Sequence, residues 1–292
     1  MPTLNDVNSS DGLVTMLKGE PGTRKSTCAL SYPTPQYWVS TDQKMDALVL
    51  PAKTWGLNLS KDIHYDDYND WNGPLAKLNQ FRVNCPYKTI IVDSITSLGD
   101  CITGQVKKSK KKSKDDKDSG GTGGKTIGGI TVSGYDEFNA EAAALIDMID
   151  ILKDIKRYHK IHIILIAHVI GARKDNSDNM LTHHSRVIVT GAEKTSSKIS
   201  SRMDEVYHFN VEPGLNVDSG GDYTLYTEHT GNDYARTTLP LRKKITFNTK
   251  PLYETYIGPA IEQLRSMPTI HKVPTVQTAQ TTQQKPTDFT AK

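Results

Sequence analysis

The chain has 292 residues, 36% of them hydrophobic and 7% aromatic, with a formal net charge of +3. That length can bury a full core within one large domain, and no apolar run approaches the roughly 20 residues of a membrane helix, so no membrane partner is expected. The cysteines Cys28, Cys85 and Cys101 are scattered without a C-x-x-C pair, which argues against a disulfide framework and against a zinc site. The first stretch, Met1 to Gly12, reads as a flexible lead-in with neither a basic start nor an apolar export segment, so a cytoplasmic protein is expected.

Leu13 to Leu17 (LVTML) is a short apolar run suited to a buried strand. Gly19, Glu20, Pro21, Gly22, Thr23, Arg24, Lys25 and Ser26 follow, and a helix can open at Ser26 and Thr27. The pattern is a phosphate-binding loop, G-x-x-x-x-G-K-[ST], with Arg24 in the place of its last glycine. Its glycines let successive N–H groups face an anion, Lys25 is expected to reach the β- and γ-phosphates, and the Ser26 hydroxyl to bind Mg2+. A glycine turn followed by an exposed lysine is the competing structural reading. Arg24 must either keep φ negative or accept modest strain. Its side chain is expected in solvent, because the loop's N–H groups already crowd the anion.

Gln36 to Ser40 (QYWVS) reads as a second strand, ending in the polar cluster Thr41, Asp42, Gln43. A short strand over Ile63 to Tyr65 and a helix over Trp71 to Phe81 follow, the latter with Trp71, Leu75, Leu78 and Phe81 on one face. Lys88 to Asp93 (KTIIVD) is an unbroken apolar run ending in an acid, as in a central strand of a parallel sheet. Asp93 then emerges at the sheet edge where ligands bind in open α/β folds, and is expected to hold Mg2+ through water.

Residues 104–134 change character and carry no hydrophobic periodicity. Lys107 to Asp118 holds seven lysines and three aspartates, a local +4 that leaves the remainder of the chain at −1. The segment reads as a mobile basic insertion whose lysines (Lys107, Lys108, Lys110, Lys111, Lys112, Lys114) suit a phosphate backbone, against the alternative of a solvated charged loop. Tyr135 to Tyr158 is the best-patterned helix, with Phe138, Ala142, Leu145, Ile149, Leu152 and Ile155 at spacings of three or four. Ile161 to Ala167 (IHIILIA) is another buried strand, and His168 at its end is a candidate γ-phosphate sensor or a hydrogen-bonded structural histidine. Strands are further expected at Arg186 to Thr190, Asp204 to Asn210, Tyr223 to Glu228 and Lys244 to Phe247, with Gly220-Gly221 as a hairpin turn. From Ser266 the chain is rich in Pro, Thr and Gln and reads as a disordered tail. The expected organisation is therefore a flexible 1–12, an α/β domain over 13–265 and a tail over 266–292.

Between Leu13 and Leu264 the segments GEPGTRKST, STDQKMDAL, IIVDSITSL, IAHVI and YARTTLPLRKKI resemble phage-encoded RecA-like P-loop ATPases of the Sak single-strand-annealing type. The resemblance implies a RecA-like core with a mainly parallel sheet flanked by helices, closed by C-terminal antiparallel strands. It implies ATP and Mg2+ as ligands, Lys25 and Ser26 as Walker A groups and Asp93 as the Walker B acid. Asp42 falls where RecA-like enzymes carry a glutamate that activates water, although it is one methylene shorter and a structural acid is an equal reading. His168 stands where RecA has a glutamine, and 104–134 and 171–184 correspond in position to DNA-binding loops. Arg236, Arg242, Lys243 and Lys244 are candidates for a cation donated to a neighbouring subunit, each with a solvated basic edge as its alternative. The implied role is a DNA-stimulated ATPase acting on single-stranded DNA in phage recombination or replication. It would act in the bacterial cytoplasm as a homo-oligomeric ring or filament, with a single-strand-binding protein as a further partner. The alternatives are a nucleotide-binding regulatory or assembly module and, less in keeping with the sequence, a small-molecule P-loop kinase.

Overall fold

Buried aliphatic runs that cannot alternate polar and apolar residues need cover on both faces, and a parallel sheet between helices supplies it. The computed structural model describes residues 12–115, 125–127, 130–132, 137–170, 173–174, 181–183, 186–187, 198–213, 221–231 and 233–267. In chain order the first half comprises β1 (Val14–Gly19), α1 (Lys25–Leu30), β2 (Gln36–Ser40), α2 (Val49–Thr54), α3 (Leu59–Asp62), β3 (Ile63–Asp67), α4 (Asn72–Val83), β4 (Thr89–Asp93) and α5 (Ile95–Asp115). Two short pairs of strands, β5 (Lys125–Ile127) with β6 (Ile130–Val132) and β8 (Arg173–Lys174) with β9 (Leu181–His183), flank α6 (Glu137–His159) and β7 (His162–Ile170). The chain continues through β10 (Arg186–Val187), β11 (Glu205–Glu212), β12 (Asp222–Tyr226) and β13 (Lys244–Thr246) to a π-helical turn at Tyr253–Ile257 and α7 (Gly258–Ser266).

The principal sheet runs β13-β12-β11-β1-β7-β4-β2-β3, with β10 antiparallel to the end of β7. β3, β2, β4, β7, β1 and β11 are parallel, while β12 and β13 are antiparallel additions. This is the α/β architecture expected from the sequence, with C-terminal antiparallel strands. Parallel pairing places the C-terminal ends of β1, β7, β4 and β2 along one edge, with Gly19 opposite His168 and Ser40 opposite Asp93. One face packs Val14, Met16, Val92 and Leu165 beneath α4, α5 and α6, and the other packs Leu17, Trp38, Ile91 and Ile166 beneath α1 and the C-terminal elements. The described helices include none long and apolar enough to cross a membrane.

The insertion differs from its sequence reading. Where a mobile segment was expected from residue 104, helix α5 runs from Ile95 to Asp115, so Lys107, Lys108, Lys110, Lys111, Lys112 and Lys114 lie in a helix; their side chains lie outside the described residues. Ile102 and Val106 on its preceding turns are buried in the core shared with α6, and lysine itself is a good helix former, so propagation from that anchored turn costs little. Residues 116–124, 128–129 and 133–136 of the insertion are outside the description, as are 1–11, 171–172, 175–180, 184–185, 188–197, 214–220 (with Gly220 of the expected turn), 232 and 268–292.

Candidate functional site

The loop between β1 and α1 curls around the ammonium of Lys25. Lys25 Nζ donates to the carbonyls of Gly19 (2.9 Å) and Glu20 (2.7 Å) and to Thr23 Oγ1 (3.4 Å), while Thr23 Oγ1 donates to the Glu20 carbonyl (2.8 Å). Two glycines make the turn: a Cβ on Gly19 would stand 2.5 Å from the Phe209 carbonyl, and Gly22 has φ 82°. Pro21, with Glu20 and Gly22, forms the exposed crest of the loop, and Thr27 is half-buried in the first turn of α1. Burial lowers the pKa of Lys25 to about 8, against the opposing pull of Asp93, Asp42 and Glu20.

Arg24 departs from its sequence reading. Its backbone is left-handed, φ 63° and ψ 27°, the conformation the missing glycine would adopt freely. The side chain does not point to solvent: its guanidinium lies 3.8 Å from the Tyr223 ring centroid and donates through Nη1 to the Asn248 carbonyl at 2.6 Å. Planar guanidinium matches both an aromatic face and an in-plane acceptor, which outcompetes hydration at a half-buried position.

Ser26 Oγ donates to Asp93 Oδ2 at 2.7 Å, joining α1 to the end of β4. Burial, the largest cause, pushes the Asp93 carboxyl up, and the Ser26 hydrogen bond and Lys25 act against it. A serine hydroxyl and a half-buried carboxylate this close, beside the loop, form a hard-oxygen donor pair suited to Mg2+ completed by phosphate and water. Asp42 and His168 complete the edge. His168 Nε2 lies 3.5 Å from Asp42 Oδ2, and Asp42 Oδ1 accepts from Ser94 Oγ at 3.1 Å and from Ser97 Oγ. Burial alone would raise the Asp42 pKa; the hydrogen bonds from His168, Ser97 and Ser94 outweigh it and hold the carboxyl at about 2. The His168 backbone N–H donates to Thr96 Oγ1 at 3.0 Å, and Thr41 Oγ1 exchanges hydrogen bonds with the Ser94 backbone, 2.9 Å each way.

The structure thus gathers Lys25, Ser26, Asp42, Asp93 and His168 at one sheet edge. The hydroxyls of Thr41, Ser94, Thr96 and Ser97 were not singled out from the sequence. The hydroxyl-rich run after Asp93 in IIVDSITSL was the available signal. The four candidate trans-acting cations lie elsewhere. Lys243 pairs with Glu228 (2.9 Å), Lys244 with Glu212 (2.5 Å), Arg236 donates to the Met203 carbonyl, and Arg242 is exposed. None is hydrogen-bonded or ion-paired to Lys25, Ser26, Asp42 or Asp93 among the described residues.

The AAA domain family matches residues 11–239, a span that contains all five of the gathered residues. The chain belongs to the AAA domain family. Membership makes it a P-loop ATPase-type, nucleotide-binding domain, and such sites usually take Mg2+ with the nucleotide. No curated protein matches the chain. Similar solved structures include that of the RadB recombinase, at 15% identity over 74% of this chain and 80% of that one, with a TM-score of 0.43.

Proposed function

We propose that this AAA domain protein hydrolyses ATP with Mg2+ and couples turnover to single-stranded DNA, as a Sak-type annealing protein of phage recombination or replication. The observation that carries the proposal is the convergence of Lys25, the Ser26–Asp93 pair and the Asp42–His168 pair at the ends of four adjacent strands. Lys25 leaves its loop carbonyls for the β- and γ-phosphates, and the loop N–H groups take the oxygens between them. Ser26 and Asp93 would hold Mg2+, which supplies charge neutralisation at the phosphates. Asp42 accepts a hydrogen bond from the attacking water. With a pKa of about 2 it is a weak base, so its work is orientation of water along the line of attack. His168, bonded to Asp42, faces the same position and reports whether a γ-phosphate is there.

The DNA part of the proposal is supported by α5, which leaves β4 directly after Asp93 and carries the lysine run of 107–114. Contacts from lysines to phosphates imply sequence-tolerant binding with strong salt dependence. In this reading the ATPase domain spans 13–265, the lysine-rich insertion of 104–134 binds the phosphate backbone, and the chains assemble as a ring or filament in the bacterial cytoplasm. One of Arg236, Arg242, Lys243 and Lys244 would then serve a neighbouring subunit, and a single-strand-binding protein would be a further partner. Turnover measured with and without single-stranded DNA tests the proposal: stimulation supports it, and turnover indifferent to DNA removes the DNA role. A regulatory or assembly module with little turnover is a second reading, favoured by the low basicity of Asp42. Nucleotide binding without hydrolysis, with or without DNA, would establish that reading in place of the first.

A further inference from the structure

Beyond Lys25 and Ser26 in the loop itself, the groups assigned to the terminal phosphates come from the β7 side: Asp93 on β4, His168 on β7 and Asp42 after β2. Arg24 turns the opposite way, across β11 to the β12–β13 hairpin, where Tyr223 is the second residue of β12. That hairpin begins two strand spacings from β1, about 10 Å across the sheet. A nucleotide laid along the loop with its last phosphate near Asp93 and Asp42 therefore directs its base toward Arg24 and Tyr223.

The surface there is built rather than incidental. Tyr223 rests against Phe247, with centroids 6.3 Å apart, and Phe247 against the buried Phe209 at 5.7 Å. The Tyr223 backbone N–H donates to Asn248 Oδ1 at 2.9 Å, and Asn248 Nδ2 donates to Asp222 Oδ1 at 3.1 Å. The Asn248 carbonyl in turn holds the Arg24 guanidinium. Both ends of that contact sit in left-handed backbone, Arg24 at φ 63° and Asn248 at φ 39°. Asparagine adopts this region readily, but an arginine there signals a constraint that the surroundings enforce, of the kind concentrated at ligand sites. One guanidinium face lies on Tyr223, and Arg24 as a whole is only half-buried, so the residue keeps exposed surface to offer a flat partner.

We infer that Arg24 and Tyr223 form the nucleobase platform of this site: the base of the bound nucleoside triphosphate stacks on the outer face of the Arg24 guanidinium, backed by Tyr223. This rests on the nucleotide-binding reading of the loop and adds a residue pair to it. The loss of the last loop glycine then has a purpose, since an arginine at that place trades backbone freedom for a stacking surface. Purines, with the larger ring area, bind more tightly than pyrimidines, and no edge-specific recognition is implied.

The test is displacement of a fluorescent ribose-labelled ADP from the full-length protein by ATP, CTP and inorganic tripolyphosphate, which carries no base. The proteins compared are wild type, Tyr223→Ala, Tyr223→Phe and Arg24→Lys. The inference predicts that Tyr223→Ala weakens ATP about tenfold, a typical loss for one stacked base, while tripolyphosphate affinity stays within about twofold. Tyr223→Phe stays near wild type, Arg24→Lys weakens ATP by a similar factor through loss of the plane, and wild type prefers ATP to CTP. Equal losses for ATP and tripolyphosphate in Tyr223→Ala would make the contact a clasp that shapes the loop, and would overturn the platform. Unchanged ATP affinity in Tyr223→Ala overturns it as well. Wild-type protein that binds tripolyphosphate as tightly as ATP sinks the platform and leaves the phosphate reading standing. Wild type that binds neither ends both.

Discussion

Replacing Arg24 by glycine restores the usual loop sequence, and by that pattern alone it should stabilise the loop. The structure predicts the reverse. The left-handed backbone at φ 63° costs a non-glycine residue about 1–2 kcal/mol, which glycine recovers. Glycine returns roughly 0.5–1 kcal/mol of that through the larger entropy of its unfolded chain. It also forfeits the stacking on Tyr223, about 0.5–1 kcal/mol, and the charged hydrogen bond to the Asn248 carbonyl, about 1 kcal/mol at this half-exposed position. The losses win by about 0.5–1 kcal/mol. Arg24→Ala loses the same contacts and keeps the backbone cost, so it falls about 1 kcal/mol further. Thermal unfolding of the three proteins should give Tm in the order wild type, Arg24→Gly, Arg24→Ala, with steps of about 2–4 °C, since 1 kcal/mol corresponds to a few degrees for a domain of this size. An Arg24→Ala protein as stable as wild type, or more stable than Arg24→Gly, would refute both the contact and the backbone assignment.

Gly19→Ala drives a Cβ to 2.5 Å from the Phe209 carbonyl at the β1–β11 pairing, so it should destabilise by about 2–3 kcal/mol and abolish nucleotide binding, read by denaturant unfolding and by fluorescent-nucleotide titration. Because burial lowers Lys25 from 10.5 to about 8, folding penalises its charged form below that pH, and the penalty fades as pH rises toward 10.5. A bound triphosphate favours the charged form, so binding at pH 8.5 should take up protons and weaken as pH climbs further. Calorimetry in two buffers of different ionisation enthalpy gives the proton count, and no uptake at pH 8.5 contradicts the assignment. Ser97→Ala removes a donor that helps hold Asp42 at about 2, so the acid limb of the turnover profile should move up by about one pH unit, with the neutral-pH rate changed less. An unmoved acid limb means that Asp42 is not the group it reports.

The fold was legible wherever burial on both faces leaves an unbroken aliphatic run. The runs expected as strands at Lys88–Asp93 and Ile161–Ala167 form Thr89–Asp93 and His162–Ile170, the latter continuing three residues past its expected end, and Gln36–Ser40 coincides with its expected bounds. That Lys25, Ser26 and Asp93 would lie together could be anticipated for a related reason: a phosphate-binding loop and a strand-ending acid each have a recognisable local pattern. What the sequence hid depends on contacts between distant residues. Nothing near Arg24 announces Tyr223 or Asn248, some 200 positions away, so hydration looked the better fate for its side chain. The low pKa of Asp42 arises from Ser94, Ser97 and His168, which come to it only when β2, β4 and β7 align. The reach of α5 to Asp115 escaped the periodicity because its lysines need no buried face once the helix is anchored at Ile102 and Val106.

The claim on which the rest depends is that the loop around Lys25 holds a nucleoside triphosphate. It is tested most directly by ATP affinity and turnover of wild type and Lys25→Ala side by side, with circular dichroism to establish that both are folded. The account predicts micromolar-range binding in wild type, and loss of at least about a hundredfold in affinity, in turnover, or in both for the variant, since the lysine's charge on the β- and γ-phosphates disappears. A folded Lys25→Ala protein that binds and hydrolyses ATP as wild type does would contradict it.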